Sequence, residues 1–181
     1  MIAVIVNPRS RANRRNPRIA ADFQALVGDR GRVFAPKTIE ELNAAVAEWR
    51  RTPPTVIAVH GGDGTLHKTV TALGHAFGGD PLPPIAILCG GTMNVVASSL
   101  HIRERPSVFL RAIVDADRAG RPLETIRRRC LRIGDELGFL FGSGLPANFL
   151  TEYYGPGGYG PGRAAWLLTR AFFSALWHGP F

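Results

Sequence analysis

Short apolar runs alternate with helical patterns through the first two-thirds of this 181-residue chain. Ile2–Val6 is apolar throughout, residues 55–59 and 85–88 are nearly or wholly so, and residues 32–35 form a weaker run. Continuous apolar runs of this length predict strands buried on both faces. Strands that alternate with helices at this spacing predict a parallel sheet with right-handed crossovers.

Helical spacing of apolar residues separates these strands. The predicted helices cover residues 15–27, 38–51 (with Thr38 as N-cap and Glu41 three residues on), 64–77, 92–100 and 107–118. After residue 120 the pattern changes to predicted strands at 123–133 and 137–143, a Gly/Pro loop at 155–162 and an apolar helix at 164–177. A helix that is apolar all round is either buried against further chain or lies at a membrane surface, with Trp166 and Trp177 at the interface.

Charge and cysteine content narrow the classes of protein. The 22 basic and 14 acidic residues leave a net charge of +8, which favours phosphates, nucleic acid or acidic lipid headgroups as partners. Nucleic acid has only this net charge in its favour, because no recognisable binding module is present. The chain lacks a G-x-x-x-x-G-K-[ST] loop, which excludes an ordinary P-loop NTPase. Two cysteines, no signal segment and no apolar run of about 18 residues predict a cytoplasmic protein without a disulfide scaffold.

Three loops follow three of the predicted strands. They are Asn7-Pro8-Arg9-Ser10, His60-Gly61-Gly62-Asp63-Gly64-Thr65 and Gly90-Gly91-Thr92-Met93-Asn94. Parallel strands bring their carboxyl ends to one edge of the sheet, where open α/β sheets bind their ligands. The three loops are therefore expected to converge on one ligand.

The second loop has the sharpest chemistry. Its glycines allow the backbone to turn tightly and approach a bulky ligand. The helix predicted to begin near Gly64 points its free N–H groups and its positive dipole end at the loop, which suits phosphate. Asp63 could hold a divalent cation through water, or take a proton from an attacking hydroxyl. The alternative is that Asp63 or Thr65 caps the helix.

Neutral hydrogen-bonding residues occupy the other two loops. Thr92 and Asn94 follow Gly90 and Gly91, and Asn7 and Ser10 follow the first strand. These side chains can donate to phosphate or to a nucleobase. The alternatives are helix capping for Thr92 and Asn94 and ordinary turn chemistry for the Asn-Pro loop.

Together the three loops resemble the catalytic family of diacylglycerol and sphingosine kinases, of the bacterial lipid kinase type, within a superfamily shared with NAD kinases. The resemblance rests on Asn7-Pro8-x-Ser10, Gly61-Gly62-Asp63-Gly64-Thr65 and Gly91-Thr92-x-Asn94, in that order along the chain. Glu124 and the stretch Phe141-Gly142-Ser143-Gly144 are similar to later parts of the family pattern. G-G-D-G-T is common to lipid and NAD kinases, and the other two loops favour the lipid kinases.

The resemblance implies a Rossmann-like, three-layer α/β nucleotide-binding domain over residues 1–120. Residues 121–181 would be the incomplete beginning of a β-rich lipid-binding domain. The activity implied is transfer of the γ-phosphate of ATP, with Mg²⁺, to a lipid hydroxyl, above all that of diacylglycerol, which gives phosphatidic acid. The implied partners are ATP and a lipid at the inner membrane face, without nucleic acid, and a homo-oligomer is left open.

The resemblance also assigns roles to the loop residues. The implied nucleotide contacts are Asn7, Ser10, Gly61, Gly62, Asp63, Gly64, Thr65, Gly91, Thr92 and Asn94. Asp63 is the implied catalytic residue, as a base or as part of a metal network, and the metal ligands stay unassigned.

Five positions depart from the family pattern: Arg11, His67, Lys68, Thr71 and Val95. The family usually has glycine at the first, Asn-Glu at the second and third, asparagine at the fourth and an acidic residue at the last. Two alternatives stay open. The changes at His67, Lys68 and Val95, with the expected truncation, favour a non-catalytic nucleotide-binding remnant, and the shared G-G-D-G-T motif allows an NAD kinase-like phosphotransferase.

Overall fold

A computed structural model describes residues 1–142, 145–156 and 161–176 of the chain. The chain divides into two compact units, Met1–Phe139 and Leu140–Phe181. The elements of the first unit are β1 (Ile2–Val6), α1 (Arg11–Arg15), α2 (Ile19–Val27), β2 (Gly31–Phe34), α3 (Ile39–Arg51), β3 (Val56–Gly61), α4 (Asp63–Phe77), β4 (Ile85–Cys89), α5 (Val95–Ser99), α6 (Pro106–Arg118), β5 (Leu131–Ile133) and β6 (Glu136–Gly138). The second unit contains α7 (Leu145–Tyr154) and α8 (Pro161–Leu176).

Strands β1 to β4 form a parallel sheet in the order β2-β1-β3-β4. The predicted α/β fold class is confirmed. β1 and β3 are buried at every position, as continuous apolar strands in the middle of a covered sheet must be. Because all four strands run the same way, their carboxyl ends and the loops that follow lie at one edge.

Helices cover both faces of this sheet. Alternate residues of β1 point to opposite faces: Ile2, Val4 and Val6 belong to a core that α2 and α6 complete. Ala3 and Ile5 belong to a second core with α3 and α4, in which Trp49 is fully buried. The three-layer arrangement therefore follows from two apolar faces that both need burial.

Two of the predicted helices are shorter than expected. The helix predicted over residues 15–27 is interrupted between α1 and α2 at Asn16-Pro17, because a residue before proline is driven out of the helical region. The helix predicted over residues 92–100 begins only at Val95, since Asn94 adopts a left-handed conformation with φ of 48°. Thr38 caps α3 as predicted, with its hydroxyl accepting from Glu41 N at 3.2 Å.

The predicted long strands after residue 120 are wrong in extent. Residues 121–130 form neither helix nor strand, and β5 and β6 are an antiparallel hairpin of three residues each. Gly134, with φ of 57°, supplies the left-handed position that the tight turn requires.

The second unit is a pair of helices. The predicted apolar helix is confirmed as α8, whereas α7 was not predicted, although Pro146 in its first turn is a typical helix-start signal. Arg163 of α8 donates to Glu152 O of α7 at 3.1 Å through Nε. Trp166 is 57% exposed, and Trp177 and residues 157–160 of the predicted Gly/Pro loop lie outside the described residues. Among the described residues, no helix has the length and apolar character to cross a membrane.

Candidate functional site

The three predicted loops meet at the carboxyl edge of the sheet through backbone hydrogen bonds. Asn7 N donates to His60 O at 3.0 Å, which joins the first loop to the end of β3. Gly90 N donates to Gly61 O at 2.9 Å, which joins the third loop to the second. The expected convergence is therefore present in the backbone itself.

Asn7 links the first loop to the second through its side chain. Its Nδ2 donates to Thr65 Oγ1 at 2.8 Å, and its Oδ1 accepts from Arg9 N at 2.9 Å. Its backbone carbonyl accepts from Asn13 Nδ2 at 2.7 Å. These bonds fix the position of Asn7 and turn the hydroxyl proton of Thr65 away from it, because Thr65 is the acceptor.

Asp63 links the second loop to the third. It is the first residue of α4, yet it caps α5: Oδ2 accepts from Val95 N at 3.0 Å and Oδ1 from Val96 N at 3.1 Å. A carboxylate at a helix N-terminus satisfies free N–H groups and complements the helix dipole. Because a carboxylate has about four lone-pair sites, each oxygen of Asp63 retains accepting capacity.

Asn94 closes the third loop on itself. Its Oδ1 accepts from Gly91 N at 3.0 Å and its Nδ2 donates to Gly91 O at 3.2 Å. Thr92, between these two residues, is exposed. The loop therefore holds Thr92 at its surface, while the amide of Asn94 maintains the loop's shape.

The glycines of the second and third loops have different roles. A Cβ on Gly91 would overlap the backbone of Gly62, and a Cβ on Gly61 would overlap Thr65, so both glycines allow close packing. Gly64 is exposed, and a Cβ there would meet nothing within 4 Å. The N-cap of α4, Gly62, provides no side-chain hydrogen bond. Thr65 N and Leu66 N donate to Gly62 O at 2.9 and 3.1 Å, which leaves the N–H groups of Asp63 and Gly64 as the open ones of the first turn of α4.

Ser10 caps the short helix α1. Its Oγ accepts from Asn13 N at 3.4 Å, which corresponds to the turn chemistry considered as the alternative for this loop. The hydroxyl proton of Ser10 is still available for donation.

The sequence pattern assigns no role to His60, and the structure places this residue under the third loop. The imidazole is 3% exposed, lies edge-on to Phe23 with ring centroids 5.0 Å apart, and places Nδ1 3.0 Å from Leu88 O. Burial lowers its pKa, against the opposing effect of the Leu88 bond. A Cβ on Gly90 would lie 2.8 Å from the ring, so this glycine lets the loop rest on it.

A basic cavity adjoins the carboxyl edge of the sheet, and the sequence patterns do not predict it. It has a volume of about 200 Å³, and its lining includes Arg9, Lys37, Lys68, Asn7 and Thr65. Lys37 follows β2, whose end carries no glycine-rich motif. The position after a strand was the signal that could have identified it.

The departures from the family pattern on α4 hold the β5–β6 hairpin. Lys68 Nζ lies 2.7 Å from Glu136 Oε1 and His67 Nε2 lies 2.8 Å from Glu136 Oε2. Thr71 Oγ1 accepts from Leu137 N at 2.9 Å and lies 3.0 Å from Leu137 O. The hydrogen bond from Lys68 lowers the pKa of the Glu136 carboxyl below its ordinary value. These residues therefore have structural partners in this chain.

Two further departures, Arg11 and Val95, and the two later family-like stretches complete the comparison with the family pattern. Arg11 begins α1, and Val95 offers its backbone N–H rather than a carboxylate. Glu124 is exposed on residues 121–130. Phe141 is 64% exposed, whereas Ser143 and Gly144 lie outside the described residues.

Comparison with known families agrees with this arrangement of loops. The model of the diacylglycerol kinase catalytic domain matches residues 1–124, which include the whole four-stranded sheet and its loops. The chain belongs to the diacylglycerol kinase catalytic-domain family. The family expected from the three motifs is thus confirmed.

Solved structures of a protein named as a diacylglycerol kinase from Bacillus anthracis str. Sterne share the fold of this family member. Two of them have a TM-score of 0.50 and cover 63% of this chain and 41% of their own; a third has a TM-score of 0.51 and covers 63% and 40%. Sequence identity is 21% in each case, and the chain spans about 40% of the length of these solved relatives. No curated protein matches the chain.

Proposed function

We propose that this chain binds ATP at the carboxyl edge of its sheet and transfers the γ-phosphate to the hydroxyl of diacylglycerol, giving phosphatidic acid. The observation that carries the proposal is the bracing of three loops beside the uncapped first turn of α4. Membership of a kinase family supports phosphate transfer, and the lipid acceptor belongs to the proposal.

The residues at this edge fit a polyphosphate. The open N-terminal turn of α4, at Asp63 and Gly64, offers N–H groups and a positive dipole end. Ser10, Thr92 and the Thr65 hydroxyl are neutral donors. Arg9 and Lys37, in the adjoining basic cavity, neutralise charge. Phosphoryl transfer needs mainly positioning and charge neutralisation, which such a set supplies.

Mg²⁺, if held at this edge, would neutralise phosphate charge there. No cluster of three or more histidine, cysteine or acidic side chains suited to a metal occurs in the described ranges. Asp63 is the carboxylate at the edge that could hold the ion, together with the phosphates.

Asp63 is proposed as the catalytic base. An oxygen of Asp63 accepts the proton of the lipid hydroxyl while that hydroxyl attacks the γ-phosphorus, and ADP leaves with the electrons of the broken P–O bond. The bonds from Val95 N and Val96 N hold the carboxylate in one orientation during this transfer.

The test is transfer of labelled γ-phosphate with Mg²⁺ to diacylglycerol, sphingosine and NAD offered together, with the products separated. Label in diacylglycerol is expected, and Asp63→Asn is expected to lower its rate at least about a hundredfold. Asp22→Asn, which removes an exposed carboxylate from α2, is the matched control. Label in NAD would instead identify the chain as an NAD kinase-like phosphotransferase and overturn the lipid assignment.

Gly64→Ala tests the placement of the phosphates independently of turnover. The added methyl group meets no protein atom within 4 Å, so folding is expected to be unaffected. A phosphate seated on the first turn of α4 would meet this methyl group, and ATP affinity is expected to fall at least about tenfold. Gly78→Ala is unsuitable as a control, because φ there is 58° and an alanine would be strained. Ala12→Gly, at an exposed position of α1, is the control. Unchanged ATP affinity would place the phosphates elsewhere.

A non-catalytic nucleotide-binding role is the second candidate, and the hydrogen bonds of Asp63 favour it. Both carboxylate oxygens already accept backbone N–H groups, which is sufficient reason for an aspartate at this position. This candidate predicts ATP binding without transfer to any acceptor in the same assay.

A further inference from the structure

Residues 121–132 form an arginine-rich surface of the first unit, here called the arginine segment. It carries Arg121, Arg127, Arg128, Arg129 and Arg132, all of them exposed, and a single acidic residue, Glu124. The ion pairs in the described part of the chain include none of these five arginines. The segment therefore offers concentrated positive charge to an external anion.

Exposed aliphatic side chains are interleaved with the arginines. Ile126 is 76% exposed, and Leu131 is 51% exposed. Ile133, directly after the segment, is 49% exposed. A surface that combines arginines with exposed aliphatic groups fits a partner with an anionic layer in front of an apolar one.

A large apolar cavity lies behind the segment. Its volume is about 580 Å³, and Ile126, Arg127 and Arg128 form part of its wall. Much of the remaining wall is apolar and includes Leu66, Val70, Ile85, Ile87 and Val96. The N–H of Val96 is bound to Asp63 at 3.1 Å, so this cavity borders the helix that Asp63 fixes.

We propose that the arginine segment docks this chain onto the surface of an anionic phospholipid bilayer. The arginines bind headgroup phosphates, Ile126 and Leu131 enter the boundary with the acyl chains, and the cavity lies next to the lipid. The proposal rests on the proposed lipid kinase function, because docking here brings lipid next to α5, the helix whose first N–H groups bind Asp63. RNA would satisfy the arginines and leave the aliphatic side chains and the apolar cavity without a partner.

The experiment measures binding of the whole 181-residue chain to vesicles by flotation. One set of vesicles contains phosphatidylglycerol with phosphatidylcholine, and the other contains phosphatidylcholine alone. The chain is expected to bind the anionic vesicles at about 0.15 M salt, and the Arg127→Gln/Arg128→Gln/Arg129→Gln variant about a hundredfold more weakly, at roughly fivefold per arginine. Arg18→Gln/Arg32→Gln/Arg51→Gln removes the same charge from exposed positions elsewhere and is expected to leave most binding intact.

Two further measurements separate docking from simple charge attraction. Ile126→Ser keeps the charge and is expected to weaken binding by several fold, whereas Val108→Ser, at a 56% exposed position of α6, is not. Thiol labelling of Cys130, exposed within the segment, is expected to slow when anionic vesicles are added. Labelling of the half-buried Cys89 serves as the internal reference.

Three results would overturn the proposal. These are equal losses for the two triple variants, equal binding to both kinds of vesicle, or tighter binding of a single-stranded RNA that displaces the vesicles.

Phosphate transfer to short-chain diacylglycerol dispersed without vesicles is measured in parallel, and the segment variant is expected to retain it. Absence of transfer together with segment-dependent vesicle binding would reject the proposed function and keep the docking surface.

Discussion

Polar side chains at the carboxyl edge form hydrogen bonds mainly to the loops themselves, within one loop or between two. Asn7 binds Thr65, Asp63 binds the N–H groups of Val95 and Val96, and Asn94 binds Gly91. Such contacts arrange the loops before a ligand arrives, which lowers the ordering cost of binding. At the residue scale, these side chains hold the loops in place, and under the proposed function ATP would contact the backbone and hydroxyl groups that they position.

Asn7→Ala should separate bracing from folding. Loss of its bonds to Thr65 and Arg9 is expected to destabilise the chain by about 1 kcal/mol and to weaken ATP binding by several fold. Urea unfolding and calorimetric titration with ATP measure the two effects. Asn43→Ala, at an exposed position of α3, is the control. A destabilised variant with unchanged ATP affinity would contradict the bracing role.

His60 should make stability depend on pH. Because burial lowers its pKa in the folded chain, the unfolded chain takes up a proton first as the pH falls below the ordinary imidazole value of about 6.5. Its contribution to stability is therefore complete above that pH and declines as the pH falls towards the lowered pKa.

Urea unfolding at pH 7.5 and at pH 5 measures this loss of stability. The expected loss is about 1.4 kcal/mol for each unit by which the pKa is lowered. The loss between the two pH values is expected to be smaller in His60→Gln than in the parent chain. His101→Gln, at an exposed position, should leave the difference unchanged. An equal pH dependence in His60→Gln and the parent would show that other groups cause it.

At the scale of elements, α4 has two functions. Its first turn faces the open edge, while Lys68, Thr71 and His75 along its length hold the β5–β6 hairpin. The bonds from Thr71 to Leu137 are buried, whereas the Lys68–Glu136 pair is about half exposed on both sides. The hairpin therefore depends more on the buried hydroxyl than on the ion pair.

Thr71→Val and Lys68→Gln test this ranking on the same helix. Thr71→Val leaves the buried N–H of Leu137 without its partner, which is expected to cost about 2 kcal/mol. Lys68→Gln removes a solvent-exposed pair, for which less than about 1 kcal/mol is expected. Urea unfolding and hydrogen exchange of the hairpin amides report both values. A larger effect of Lys68→Gln would reverse the ranking.

At the scale of the molecule, two of the cores of the first unit cover opposite faces of one sheet. Leu110 of α6 is fully buried on one face, and α3 packs on the other. Because β1 and β3 contribute alternate residues to both cores, the two faces are expected to unfold together.

Leu110→Ala tests this cooperativity. The cavity left behind is expected to cost about 3 kcal/mol, and the slowest exchanging amides of α3 should lose protection by the same free energy. Native-state hydrogen exchange makes the measurement. Val108→Ala, exposed on the same helix, should change stability by less than about 0.5 kcal/mol. Unchanged protection in α3 would mean that the two faces open independently.

Sequence patterns predict the sheet and its loops because their signals are local. Ile2–Val6 is apolar at every position, and a loop after each parallel strand must emerge at the same edge. The break at Asn16-Pro17 is also a local signal, but the apolar spacing alone predicts one continuous helix over residues 15–27. The family itself follows from three short motifs.

The contacts between loops and between elements could not be predicted, because they join residues distant in sequence. Asp63 and Val96 are 33 positions apart, and their contact depends on how closely Gly62 and Gly91 approach. Thr71 and Leu137 are 66 positions apart, and the sequence showed only that Thr71 departs from a family pattern. Such contacts depend on the packing of elements, which no local pattern encodes.

The central place of β1 in the order β2-β1-β3-β4 determines when the sheet can form during synthesis. β1 precedes the other strands of the sheet along the chain and needs neighbours on both sides; β2 is complete at Phe34, and the inner neighbour, β3, only at Gly61. At about 5–20 residues per second, the side of β1 that pairs with β3 stays without its partner for several seconds. A chaperone that binds short apolar segments near the ribosome would therefore meet Ile2–Val6 before any other strand of this sheet.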